Sequence, residues 1–466
     1  MKNLSFFLLL VFPLIFNARS ETKQTHDSLV LGLKHSSTTP DAPFNRAKKP
    51  SDVLDDVAEP LKEVRDGYII SLNIGTPSQI IQVYLDTGSD LTWVPCGNLS
   101  FDCIDCNDYR NNKLTSDTYF SPSHSNSSSR DSCSSPFCTN IHSSDNPFDP
   151  CTIAGCSLST LLKSTCYRPC PAFSYTYGDG VVAGTLTRDI LKVHGSTLNN
   201  STREIPKFCF GCISATYREP IGIVGFGKGP LSLPSQLGFL HKGFSHCFLP
   251  FKFANNPNIS SPLVVGDLAI SSNVNLQFTP MLKSPMYPNY YYIGLEAITV
   301  GNVGTKLPSS LKEFDSLGNG GMIIDSGTTY THLPEPFYSQ LLSVLQTEIT
   351  YPRATEVEER SGFNLCYRVP CPANNILVDD LPLITFHFLS NVSLTLPQGN
   401  SFYAMNAPNN STVVKCLLFQ SMDANDYGPS GIFGSFQQQN VEVVYDLEEE
   451  RIGFEVVDCT LKAVYS

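Results

Sequence analysis

An apolar run that ends on an acid occurs twice in this chain. Val83 to Asp90 reads VYLDTGSD, and Gly321 to Thr329 reads GMIIDSGTT. Each time a strand-like run delivers an Asp, followed by a hydroxyl residue, a glycine and a second hydroxyl residue. Each half then carries a glycine-bracketed apolar segment further on, GIVGFGKG from Gly222 and GIFGSFQQ from Gly431. One D-[ST]-G-[ST] arises by chance in roughly a few per hundred chains of this length. Two copies, each with the same companion downstream, mark an internal duplication. The length of 466 residues agrees, because single cores seldom grow past roughly 250–300 residues. The chain is therefore expected to fold as two similar lobes.

Two-fold duplication places equivalent residues face to face, so Asp86 is expected to meet Asp325. Two carboxyl groups in hydrogen-bond range cannot both ionise cheaply and share one proton. Such a pair can hold a water, take its proton and protonate a departing amide nitrogen. Thr87 and Ser326 are placed to hydrogen-bond across the axis and brace the two loops. Gly88 and Gly327 let the backbone come close and donate N–H groups to the carboxylates. Ser89 and Thr328 are placed to reach the outer carboxylate oxygens. Asp-x-Gly is also ordinary turn chemistry, but a turn alone does not explain the repeat.

The rest of the chain sets the context. Lys2 followed by the apolar run Leu4–Phe16 reads as an export signal over residues 1–20, too short for the roughly 20 residues that cross a bilayer. No later run is long and apolar enough to be a membrane helix. Residues 21–65 are polar, Pro-containing and charged at both signs, a composition that buries no core and reads as a pro-segment or flexible leader. RAKKP at 46–50 is a candidate processing site. The first lobe is assigned to 66–280 and the second to 281–466. Most later segments, such as NYYYIGLEAITVG and VEVVYD, are β-branched or aromatic runs, so the fold class is mostly β with few short helices. The best helix signal is Pro336–Ile349.

Sixteen cysteines in an exported chain point to disulfides rather than to metal. Nine lie between Cys96 and Cys170, so if all pair, at least one bridge leaves that stretch. Cys103-x-x-Cys106 lacks the second half of a zinc site. Asn98, Asn126, Asn200, Asn258, Asn391 and Asn410 stand in glycosylation contexts. A net charge of −12 argues against a nucleic-acid partner and suits acidic surroundings. GIVGFGKG misses the phosphate-binding loop by one residue, Gly229, where a hydroxyl would hold magnesium. HKGFSHC from His241 has no common zinc spacing and reads as a strand with a bridged cysteine.

With these motifs the chain resembles the pepsin-family aspartic endopeptidases, over about Asp66 to Val457. The cysteine-rich first half resembles their plant nepenthesin-like branch. The resemblance implies a bilobed pepsin-like fold, two pseudo-symmetric β-rich lobes around a central cleft, with Asp86 and Asp325 as the catalytic pair. YTYGDG resembles the family's flap, which makes Tyr177, Gly178, Asp179 and Gly180 the substrate-covering hairpin and Trp93 the support behind it. It further implies a polypeptide substrate cut at acidic pH, a zymogen, no metal or organic cofactor, a monomer, and export to the cell exterior or the vacuole. Disulfides Cys366–Cys416 and Cys212–Cys459 are implied as well, with Cys371 and Cys209 as nearby competitors. Val181 departs from the Ser or Thr usual after the flap glycine, and the saposin-like insertion of some plant members is missing. The rival reading is a non-catalytic binding or inhibitor-like glycoprotein on the same fold. Such proteins typically alter one Asp loop, and here both loops are intact.

Overall fold

The architecture comes from a computed structural model. It describes residues 28–35, 67–102, 119–143, 149–178, 180–195, 202–253, 256, 258–270, 275–370, 381–406, 412–422 and 427–465. The chain is mostly β, with strands of alternating burial such as Gly180–His194 and few helices. Alternation follows from the two-residue repeat of a strand, which sends every second side chain to the core. The signalled helix forms over Phe337–Glu348 and buries Phe337, Tyr338, Leu341 and Leu345 on one face.

Both acid runs are strands, and they are paired alike. Gln79–Asp86 runs parallel to Gly222–Gly225, with Asp86 opposite Gly225. Met322–Asp325 runs parallel to Gly431–Gly434, with Asp325 opposite Gly434. A third segment crosses each pair: Trp93 pairs antiparallel with Ile223, and His332 with Ile432. The crossing is so close that a Cβ on Gly225 would fall 2.2 Å from the Asp90 carbonyl oxygen, and one on Gly434 2.4 Å from the Tyr330 carbonyl carbon. Only glycine fits there, which is why both downstream elements end in it.

The lobes share a floor of six antiparallel strands. Ser28–His35, Ile259–Gly266 and Phe244–Cys247 come from the first half, and Val441–Asp446, Arg451–Val456 and Gln277–Leu282 complete it. The seam is Phe244–Cys247 against Val441–Asp446, where Phe244 faces Tyr445 and Cys247 faces Glu442. Their aromatic rings stack across it, Phe244 on Tyr445 at 4.2 Å. One continuous apolar core runs from the leucines of the first strand to Phe454 near the C-terminus.

Three sequence expectations need correction or adjustment. Ser28–His35 lies inside the stretch read as unable to bury a core, yet it is a floor strand with Leu29, Leu31 and Leu33 buried. Averaging over 45 residues hid an eight-residue apolar alternation. The division at 280/281 falls inside the strand Gln277–Leu282, which pairs with Arg451–Val456 as part of the second lobe. Cys212 does not pair with Cys459: the bridges are Cys96–Cys212 and Cys247–Cys459. Cys96 and Cys212 come together because Trp93–Pro95 runs beside Gly211–Ile213. Among the described residues, Cys96–Cys212 is the bridge that leaves the cysteine-rich stretch, whose other described pairs are Cys133–Cys151, Cys138–Cys170 and Cys156–Cys166. Cys366–Cys416 forms, and Cys209 is a buried free thiol. Asn98, Asn126, Asn258 and Asn391 are exposed. Residues 1–27, RAKKP, Cys103, Cys106, Cys371, Asn200 and Asn410 lie outside the described residues.

Candidate active site

The two acid strands end at the joint between the lobes, and their turns interlock. Thr87 donates its N–H to Ser326 Oγ at 3.0 Å, and Ser326 donates its N–H to Thr87 Oγ1 at 2.9 Å. Each hydroxyl then donates across the joint, Thr87 Oγ1 to the Ile324 carbonyl and Ser326 Oγ to the Leu85 carbonyl. All four bonds are buried, where an unmet donor costs about 1–3 kcal/mol, so the reciprocal set fixes one loop against the other.

The carboxyl groups are held in matching ways. Asp86 Oδ1 accepts the Gly88 N–H at 2.9 Å and Oδ2 accepts the Ser89 hydroxyl at 2.7 Å. Asp325 Oδ1 accepts the Gly327 N–H at 2.7 Å and Oδ2 accepts the Thr328 hydroxyl at 2.6 Å. The Asp325 carboxyl lies against Gly88, where a Cβ would come within 2.6 Å of its Cγ. Gly88 therefore donates to one acid while leaving room for the other. A second matched pair, Thr92 and Thr331, accepts the N–H groups of Gly225 and Gly434 beneath the acids.

Phe173–Tyr177 and Gly180–His194 form a hairpin in which Tyr177 faces Gly180, with Gly178 at a positive φ in the turn. The Tyr177 ring lies 6.1 Å from the buried ring of Trp93. Asp179 lies outside the described residues, and Val181 presents an exposed apolar side chain beside the hairpin tip.

The structure adds residues that the motifs did not single out. Asp90, four residues beyond Asp86, is held by Gly229 and by Asn289 of the second lobe. Burial pushes its carboxyl up to about 6, partly opposed by the Gly229 N–H, Asn289 and Lys228. The Tyr175 hydroxyl bonds to the Asp90 main chain, and burial pushes it well above its usual value. Tyr290 is pushed up to about 12, first by burial and then by the charges of Asp325 and Asp86. The glycines at 225, 227 and 229 were the available signal for Asp90, but their spacing resembled a phosphate loop.

Residues 68–267 match the family model described as xylanase inhibitor N-terminal, and 290–456 match its C-terminal counterpart. A probable aspartyl protease of Arabidopsis thaliana is 35% identical over 431 residues, covering 84% of this chain and 82% of that protein. Aspartic proteinase nepenthesin-1 of Nepenthes gracilis is 32% identical over 400 residues, covering 84% and 78%. The chain belongs to the plant pepsin-like aspartic proteases. Among solved structures, that of edgp superposes with a TM-score of 0.63 at 20% identity, covering 94% of this chain and 97% of that one. Conglutin gamma from lupine seeds superposes with a TM-score of 0.60 at 17% identity, covering 92% and 95%. These two share the fold with this plant aspartic protease.

Proposed function

We propose that the protein is an aspartic endopeptidase that hydrolyses peptide bonds in acid with a water held between Asp86 and Asp325. The observation that carries this is the intact, two-fold matched pair of acid loops locked by Thr87 and Ser326. In the reaction one carboxylate takes a proton from the water as its oxygen bonds to the peptide carbonyl carbon. The partner carboxylic acid gives its proton to the carbonyl oxygen. Return of a proton to the amide nitrogen breaks the C–N bond and releases an amine and a carboxylic acid. Tyr177 and its hairpin cover an extended peptide, and the Val181 side chain makes that cover more apolar than a hydroxyl residue would. Neither metal nor organic cofactor enters the scheme. Export through the secretory pathway, to the cell exterior or the vacuole, belongs to the proposal and is supported by six disulfides among the described residues.

The test is cleavage of an unfolded protein between about pH 3 and 5, where a dyad holds one proton, with and without pepstatin. Asp86→Asn and Asp325→Asn are each expected to abolish turnover while retaining the wild-type circular dichroism spectrum. Retained turnover in either variant moves the chemistry elsewhere. A wild type that binds peptide or pepstatin but never cleaves favours the inhibitor-like reading that the family model's name suggests.

A further inference from the structure

The GFGKG turn is bare because a carboxyl fills it. A Cβ on Gly227 would fall 2.3 Å from Asp90 Oδ1, and one on Gly229 would fall 2.5 Å from its Cγ. Into this cradle of naked backbone the Gly229 N–H donates to Asp90 Oδ1 at 2.7 Å. Asn289 Nδ2, from the second lobe, donates to Oδ2 at 2.5 Å. The main chain repeats the grip, since the Lys228 N–H donates to the Asn289 carbonyl at 3.1 Å. Two residues on, the Tyr291 hydroxyl donates to the Phe226 carbonyl at 2.6 Å. Tyr290 lies between these two attachments. The corresponding position of the second acid loop is Thr329, which has no carboxyl to place in such a cradle.

We propose that Asp90 is a positioning residue for the reaction: an interlobe clasp that, through Asn289, fixes the second-lobe segment carrying Tyr290 against the first acid loop. The proposal rests on the protease reading above. The groups facing Asp90 are Asp86 on its own loop, Lys228 on the glycine turn, Tyr175 on the hairpin, and Tyr290 and Tyr291 on the second lobe. With its carboxyl raised to about 6, Asp90 is a neutral acid in the working range. Its one O–H then needs an acceptor, which the Asn289 amide supplies by turning over, while the carbonyl oxygen keeps the Gly229 N–H. An asparagine at position 90 reproduces that bonding and shape, whereas alanine reproduces neither.

Steady-state kinetics at pH 4 on the full enzyme decide the matter, at a temperature where circular dichroism shows every variant folded. Asp90→Ala and Asn289→Ala are each expected to lower kcat/KM about tenfold, the scale of one or two hydrogen bonds. The double variant should fall no further than the worse single one, and Asp90→Asn should stay within about twofold of wild type. Unchanged kcat/KM in Asp90→Ala, fully additive losses, or an Asp90→Asn as poor as alanine each overturn the clasp, even if thermal stability drops. Should Asp90→Ala not fold, Asn289→Ala leaves the cradle intact, and wild-type kinetics there refute the idea alone. An inactive wild type instead sinks the protease reading, and the clasp with it.

Discussion

The interlobe floor keeps a histidine where a proton is least welcome. His246 is buried in the floor strand Phe244–Cys247, its ring stacked 3.9 Å from that of Phe248. Its Nε2 lies 3.4 Å from the Tyr445 hydroxyl, and its Nδ1 has no hydrogen-bond partner among the described residues. Burial holds its pKa down at about 3, against about 6.5 in an unfolded chain. Between those values the unfolded chain binds a proton that the folded one refuses. Stability therefore falls as pH drops from about 6.5 toward 3. At about 1.4 kcal/mol per pH unit, acidification from pH 7 to pH 4 costs about 3 kcal/mol at this residue. His246→Leu removes that cost and loses a ring stack worth about 1 kcal/mol at every pH. Comparing urea-unfolding free energies at pH 7 and pH 4 cancels the stack and leaves the proton. The wild-type loss on acidification should exceed the variant's by about 3 kcal/mol. Asp90, raised to about 6, works the other way: the folded chain takes up its proton first, so its stabilisation grows as pH falls from about 6 to 4. Being present in both proteins, it drops out of the comparison. Equal losses in the two proteins would refute the reasoning.

Two further outcomes follow from the floor. Removing residues 1–35 takes away Leu29, Leu31 and Leu33, whose burial is worth about 2 kcal/mol each. Their sum rivals the 5–15 kcal/mol stability of a typical domain. The shortened chain is expected to lose its cooperative urea transition, and a wild-type transition would show the strand to be dispensable. Cys247→Ala with Cys459→Ala opens a bridge that spans 212 residues of sequence, worth about 5 kcal/mol of chain entropy. The urea midpoint should fall accordingly, and a loss below about 1 kcal/mol would refute that account.

The acid pair was legible because its chemistry demands the same few atoms twice. Each Asp needs a glycine N–H, a hydroxyl and a bracing hydroxyl, and those needs are written within four residues of each acid. The glycine-bracketed partners were legible for a similar reason, since a crossing segment excludes every larger side chain at Gly225 and Gly434. What lacked a symmetric copy was harder to read. Asp90 depends on Asn289, nearly two hundred residues away, and nothing local to either residue announces the other. The pairing of Cys212 depends on which strands lie side by side, and linear order does not contain that. Ser28–His35 shows its alternation only when read by itself, because the polar flanks dominate any longer window.

The seam between the lobes also orders events in time. Phe244–Cys247 cannot find its neighbour across the seam until Val441–Asp446 has been made, roughly 200 residues later, which at 5–20 residues per second is on the order of 10–40 s of translation. Throughout that interval the nascent chain carries an open sheet edge and an unspent Cys247 thiol, with many other cysteines already emerged. Accurate maturation therefore depends on whatever shields that edge and that sulfur until Val441–Asp446 and Cys459 have emerged.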